Sequence, residues 1–223
     1  MRSSAILVPA SFCLAALFCG CGSNPGGIGD ITDQDYFPFT AGDSWMYERY
    51  GQVDTLGVSY SFTGSEVVSV FGFEPGPPHD LIQLFTAGTD TLFAEGLDTL
   101  FIPVGGTSFA GMDDGGVWLY TDSLMTDSVI VAQFPLTVGD SWPYSTDPEA
   151  TAEVVAMDEV VTVPDGTFDD VLHIRVTQGD PIQITQDSYF APGIGNIMNN
   201  MEISADTLTL YSMTEQLTHH SIF

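Results

Sequence analysis

Lysine is absent from this chain of 223 residues, and arginine occurs only at Arg2, Arg49 and Arg175, against 30 acidic residues and a formal net charge of −27. A surface this acidic repels phosphates and anionic lipid headgroups, which excludes nucleic acid and electrostatic membrane docking as expected partners. Cysteine is equally scarce. Cys13, Cys19 and Cys21 all fall at the N-terminus, so the remainder holds no disulfide, no zinc-thiolate site and no cysteine nucleophile. The longest apolar run, Ala5 to Phe18, is too short to span a bilayer comfortably. Several catalytic signatures are missing too. There is no Gly-x-Ser-x-Gly elbow and no EF-hand ladder, and Val104-Gly-Gly-Thr107 lacks the lysine of a phosphate loop.

What is present is a duplicated phrase. Phe37-Pro-Phe-Thr-Ala-Gly-Asp-Ser-Trp-Met-Tyr47 returns as Phe134-Pro-Leu-Thr-Val-Gly-Asp-Ser-Trp-Pro-Tyr144. In each copy Gly42 or Gly139 supplies turn chemistry, and Trp45 or Trp142 opens a strand with enough bulk to anchor a core. Further blocks match in the same order: Ser65 to Val70 with Ala152 to Met157, and Asp80 to Leu84 with Asp170 to Ile174. The pattern predicts two related halves, 36–132 and 133–223, within one continuous domain, since no linker separates them.

The rest alternates short runs of Val, Ile, Leu, Thr, Phe and Tyr with Gly, Asp and Pro, as an antiparallel meander does. The expected fold class is all-β, a large curved antiparallel sheet or half-barrel with little helix. Expected strands include Trp45 to Arg49, Leu81 to Thr86, Thr91 to Glu95, Gly116 to Tyr120 and Val171 to Thr177. Asp54, Asp90, Asp98, Asp127 and Asp206, each followed by Thr or Ser, are expected to cap turns. Only Thr167 to Asp170 reads as a helical turn.

The N-terminus, residues 1–20, reads as an export signal: basic Arg2, an apolar stretch, then Cys-Gly-Cys. Leu17-Phe-Cys-Gly-Cys21 resembles the bacterial lipobox, with Gly20 before Cys21 as the acylated residue. By that resemblance Cys21 anchors the chain in the cell envelope. Gly22 in place of Asp at the following position favours the outer membrane. Residues 21–35 then form the lipidated cysteine and a flexible tether to a domain over 36–223.

Three motifs resemble a family of uncharacterised bacterial lipoproteins and secreted proteins. They are the Pro-Gly-Trp-Tyr opening at Phe37 to Tyr47, Val163-Pro-Asp-Gly-Thr-Phe168 with Gly166, and Tyr189-Phe-Ala-Pro-Gly-Ile-Gly195 with Pro192 and Gly193. The resemblance implies a curved sheet similar in outline to periplasmic lipoprotein carriers. It transfers no catalytic residue.

Candidate sites are few. Hard carboxylates on glycine-bearing loops suit calcium, and the clusters are Asp30, Asp33 and Asp35; Asp113 and Asp114; and Asp165, Asp169 and Asp170. Solvated acidic turns explain them equally well. Of His79, His173, His219 and His220, the adjacent last pair could ligate a metal but shows no third ligand. On a strand His173 shares a face with Arg175, as a solvent-facing or hydrogen-bonded histidine would. Glu66 and Glu153 occupy matching places in the aligned blocks, which points to a shared role in the fold and not to an unequal acid/base pair. The abundant aromatics, among them Phe71, Phe73, Phe85, Phe93, Phe101, Phe109, Trp118 and Tyr120, are expected to be mostly core, the alternative being the lining of an apolar trough for an acyl chain or hydrophobic peptide. The expected function is a non-catalytic, lipid-anchored binding or structural module. Its rivals are a carrier or sensor of a hydrophobic ligand on the concave face and an envelope polysaccharide hydrolase.

Overall fold

A computed structural model describes residues 31–55, 58–74, 80–94, 98–121, 123–124, 128–146, 148–179, 181–205 and 208–222. Cys21, Asp30, His79, Asp127 and Asp206 lie outside the described residues. Twelve strands run β1 Ser44–Thr55, β2 Val58–Glu74, β3 Leu81–Phe93, β4 Leu100–Asp113, β5 Gly116–Tyr120 and β6 Ser128–Gln133, then β7 Ser141–Thr146, β8 Glu149–Val163, β9 Gly166–Gln178, β10 Gln183–Ala191, β11 Gly195–Ala205 and β12 Leu208–Ser221. All join one antiparallel sheet in the order β6-β5-β4-β3-β2-β1-β12-β11-β10-β9-β8-β7. Each strand pairs with its sequence neighbour except β6 with β7, which are the two ends of the sheet, and β1 pairs with β12. The sheet is all-β and nearly closed into a barrel, its two ends β6 and β7 bridged where the Trp142 indole N–H donates to the Ile130 carbonyl at 2.8 Å. Among the described residues the only helix is a 3-10 turn, Asp33–Tyr36.

The two copies of the phrase make the same contacts. Gly42 N–H donates to the Val70 carbonyl and Val70 N–H to the Asp43 carbonyl; Gly139 and Val154 with Asp140 repeat both bonds. Gly42 and Gly139 reach this turn at φ 102° and 90°, where a Cβ would be strained. Trp45 then pairs with Val68, and Trp142 with Ala152. Both indoles are buried in the core.

Alternation along the strands stratifies the interior. At the end where the chain enters, Phe37, Trp45, Tyr47, Val68, Leu84, Trp142, Val154, Ile174, Ile197 and Leu217 form the main apolar core, each large side chain stabilising by about 1.5–3 kcal/mol. The N-terminal segment closes that end. Asp33 accepts from Leu136 N–H at 2.9 Å, the Tyr36 hydroxyl donates to the Asp170 carbonyl at 3.0 Å, and Gly193 N–H donates to the Asp35 carbonyl at 2.7 Å. At the far end Phe62, Met201 and Met213 form a second, smaller cluster. Between the two lies a polar layer.

Three expectations are corrected. Thr167 to Asp170 is not a helical turn: a tight connection lets β9 resume at Gly166 opposite Val163, and Thr162 and Thr167 hydroxyls meet across the pair at 2.9 Å. Leu81 to Thr86 and Thr91 to Glu95 are not two strands, because β3 runs unbroken through Gly88 and Asp90. Gly88 marks a close approach, since a Cβ there would lie 2.3 Å from the Ser65 carbonyl oxygen. Glu66 and Glu153 are not equivalent, because aligning the two tryptophans matches Val68 with Ala152 and so Glu66 with Ala150. Glu66 is buried; Glu153 is exposed.

Candidate functional site

Trp45, Tyr47 and Arg49 share one parity on β1, so the strand that buries the tryptophan also turns Arg49 inward. A buried guanidinium needs partners. Arg49 Nη1 donates to Glu66 Oε2 on β2 at 2.9 Å, while Asp90 on β3 and Glu215 on β12 each lie 3.6 Å from it. The geometry depends on Gly64, which sits between Arg49 and Asp90 in register. A Cβ on Gly64 would meet Asp90 Oδ1 at 2.1 Å, so the missing side chain is what lets the guanidinium reach across β2.

Three carboxyls surround one cation, and they do not all ionise. Burial pushes Glu215 up to about 8, the neighbouring Glu66 adding to the effect and Arg49 opposing it. Burial also raises Glu66 and Asp90 against the pull of Arg49. At neutral pH Glu215 therefore keeps its proton and shares it with the Glu66 carboxylate. Asn199 donates to Glu215 Oε1 at 3.0 Å and is locked by reciprocal amide bonds with Asn196 at 3.1 and 3.0 Å. Tyr47 fixes Asn196 through its carbonyl, 2.9 Å away. Arg49, Glu66 and Glu215 are each under 5% exposed, so this assembly supports the fold and offers no access to a substrate.

The other network faces outward on β8 to β10. His173 Nδ1 meets Glu159 at 3.1 Å and its Nε2 meets Asp187 at 2.7 Å. Arg175 clamps the same Asp187 at 2.7 and 3.3 Å, and the imidazole stacks on Tyr189 with centroids 4.3 Å apart. Burial works against the charged imidazole, but the bonds to Asp187 and Glu159 outweigh it and raise its pKa. Burial likewise opposes ionisation of Asp187, and His173 and Arg175 overcome it, lowering its pKa. Both ring nitrogens face carboxylates, an arrangement that favours the doubly protonated imidazole, in which each N–H donates. Beside Asp187 a depression of about 500 Å³ opens on the outer face, lined among others by Tyr50, Asn200, Glu202 and Thr214.

Among the described carboxylates picked out as calcium candidates, several are engaged by other groups of the chain. Asp35 accepts from Thr32 N–H and hydroxyl at 2.6 and 2.9 Å, and Asp113 from Gly115 N–H at 2.7 Å. Asp165 pairs with His220. Asp114, Asp169 and Asp170 are exposed, Asp170 at φ 54°. Among the described residues no three His, Cys, Asp or Glu side chains gather to hold a metal. Gly166 and Pro192-Gly193 lie in or beside hairpin connections, β8 to β9 and β10 to β11. The Arg49 cluster escaped the sequence reading, although parity with Trp45 was the available signal.

No family model and no curated protein matches this chain. Two solved structures are similar in fold. One is a protein from Bacteroides fragilis described as exported and of YmcC-like fold, 16% identical, covering 83% of this chain and 98% of its own, with a TM-score of 0.45. The other, from Parabacteroides distasonis and described as a lipoprotein, is 14% identical over 83% and 98%, with a TM-score of 0.42. Likeness at this level carries neither function nor location.

Proposed function

We propose that the chain is a lipid-anchored protein of the bacterial cell envelope, favouring the outer membrane, and acts as a non-catalytic binding or structural module. The observation that carries this reading is the mutual engagement of groups suited to chemistry. His173 is held between two carboxylates, His220 is paired with Asp165, and Arg49 and Arg175 are bound to acids. Ion pairs of this kind stabilise a scaffold and leave recognition to its surface. The anchor rests on Cys21 and a tether that reaches the first described residue, Ile31, within ten positions. Cys21→Ala should release the protein from membranes on fractionation, and retention like that of the wild type would sink the anchor.

A second reading, a carrier of a hydrophobic ligand, has one observation in its favour. Leu100 and Ile102 pair with Leu92 and Asp90 and so point to the concave face, yet they are 55% and 37% exposed. Inward apolar side chains left open to solvent suit a hydrocarbon chain. A native mass spectrum of the mature protein, kept free of chelator, separates the readings. Excess mass of lipid size favours the carrier, small increments lost on chelation favour calcium, and a bare chain favours the scaffold.

A further inference from the structure

Two rows of outward side chains cross four neighbouring strands of the sheet. In register, Asp187 on β10 pairs with Asn200 on β11, Asn200 with Thr214 on β12, and Thr214 with Tyr50 on β1. Two residues along the strands, Thr185 pairs with Glu202 and Glu202 with Ser212. Alternation turns these side chains outward, because the chain neighbours Gln186, Asn199, Met213 and Arg49 are buried inside. Together the rows line the depression of about 500 Å³ beside Asp187, within the roughly 300–1,000 Å³ of small-ligand sites. Other residues hold its polar groups in place. The Thr214 hydroxyl donates to Asn200 Oδ1 at 3.0 Å. His173 and Arg175 Nε each donate to Asp187 Oδ1 at 2.7 Å, whereas Oδ2 takes one bond of 3.3 Å and keeps a lone pair for a ligand. Tyr50, 45% exposed, adds an aromatic ring to the lining.

This lining selects the class of ligand. None of its described residues is lysine, arginine or histidine, and the chain carries a net charge of −27, so a phosphate or carboxylate ligand meets repulsion with no counter-charge in the lining to hold it. A hydrocarbon would take the hydroxyls of Thr185, Ser212 and Thr214 from water without replacing their bonds. A bare metal ion finds no group of three ligating side chains among the described residues. An organic cation gains little from Asp187, whose charge His173 and Arg175 already engage, and is left with Glu202. A neutral polyhydroxylated molecule meets none of these objections. Each sugar hydroxyl both donates and accepts, which matches the hydroxyls and the amide, and it can donate to the carboxylates of Asp187 and Glu202. The C–H face of a pyranose ring is apolar and stacks on a tyrosine ring, whose other end is polar. We infer that this depression, on the outer side of β10, β11, β12 and β1, binds a segment of a neutral glycan. The inference rests on the binding-module reading and adds the class of ligand to it.

The test uses the full chain expressed with its own export signal and purified in lauryl dimethylamine oxide, a detergent without a sugar head group. Saturation-transfer NMR is titrated with maltopentaose, cellopentaose, xylopentaose and chitopentaose as probes. The expected result is transfer to the ring protons of at least one probe. Its binding should be about tenfold weaker in Tyr50→Ala and retained in Tyr50→Phe and Glu202→Gln, which keep the ring and a hydrogen-bonding group. Tyr50 and Glu202 are exposed, so these variants alter the site without emptying the core. Phe101→Ala, which removes an exposed aromatic from β4, should bind as wild type does. Three results overturn the inference: no transfer to any of the four sugars, equal binding by Tyr50→Ala and wild type, or transfer to trilysine in place of the sugars. Each of those leaves the anchored, non-catalytic reading to its own tests. Shortening of a bound sugar would do the reverse, supporting the glycan site and overturning the non-catalytic reading.

Discussion

Arg49 and Arg175, the two arginines beyond the N-terminal signal, bind carboxylates in opposite settings. Arg49 lies inside the sheet at 4% exposure among Glu66, Asp90 and Glu215. The Arg175 side chain is 44% exposed and clamps Asp187, which also serves His173. The same chemistry has opposite consequences for proton affinity. Inside, desolvation wins and the carboxyls Glu66, Asp90 and Glu215 hold their protons more tightly. Outside, hydrogen bonds win and Asp187 gives its proton up more readily. Burial, more than the presence of an arginine, decides which way a neighbouring acid shifts.

The inner network should break hardest. Arg49→Met leaves buried carboxyls without their cation and should cost about 3–5 kcal/mol, read as a fall in the urea midpoint; a variant as stable as wild type would show that the cluster is not what holds β1 to β12. Next comes its pH response. The unfolded chain releases the Glu215 proton near its ordinary 4.5, whereas the fold retains it to about 8. Through that window the unfolded state binds fewer protons, so this contribution, complete below 4.5, declines as pH rises and is gone above about 8. Glu215→Gln can keep the bonds to Asn199 and Glu66 without a titrating proton. Its melting temperature should therefore fall less than that of wild type between pH 5 and 9, and parallel curves would refute the assignment.

Breaking the outer network should cost less. Asp187→Asn removes the acceptor shared by His173 and Arg175 and should destabilise by about 1–2 kcal/mol. It should also lower the pKa of His173, measured by imidazole proton shifts in NMR. The wild-type sign is clear for both partners. His173 contributes stability below its ordinary 6.5 that is lost as pH rises through its raised folded value. Asp187 contributes stability above 3.8 that is lost as pH falls through its lowered folded value. The smallest effect belongs to Arg175→Ala, about 0.2–1 kcal/mol and shrinking with added salt, in contrast to Arg49→Met, whose loss salt should hardly change.

Much of the fold was legible because sheet signals are local. Strand residues alternate, aspartate and glycine mark turns, and the repeated phrase placed Trp45 and Trp142 one residue inside the starts of β1 and β7. Errors arose where a local signal had a distant cause. Gly88 and Asp90 imitate a turn, yet Gly88 admits the neighbouring strand and Asp90 reaches Arg49. The three-residue slip that equated Glu66 with Glu153 followed similar letters, where strand register supplies the true match.

By itself the sequence determined an all-β chain, an acidic surface and the absence of thiol chemistry beyond Cys21, because composition and period-two patterning need no knowledge of neighbours. Only the tertiary structure decided that β1 closes on β12 and that three strands bring three acids to one arginine. Those outcomes depend on register between segments distant in the chain, where a shift of one residue exchanges the inner face for the outer.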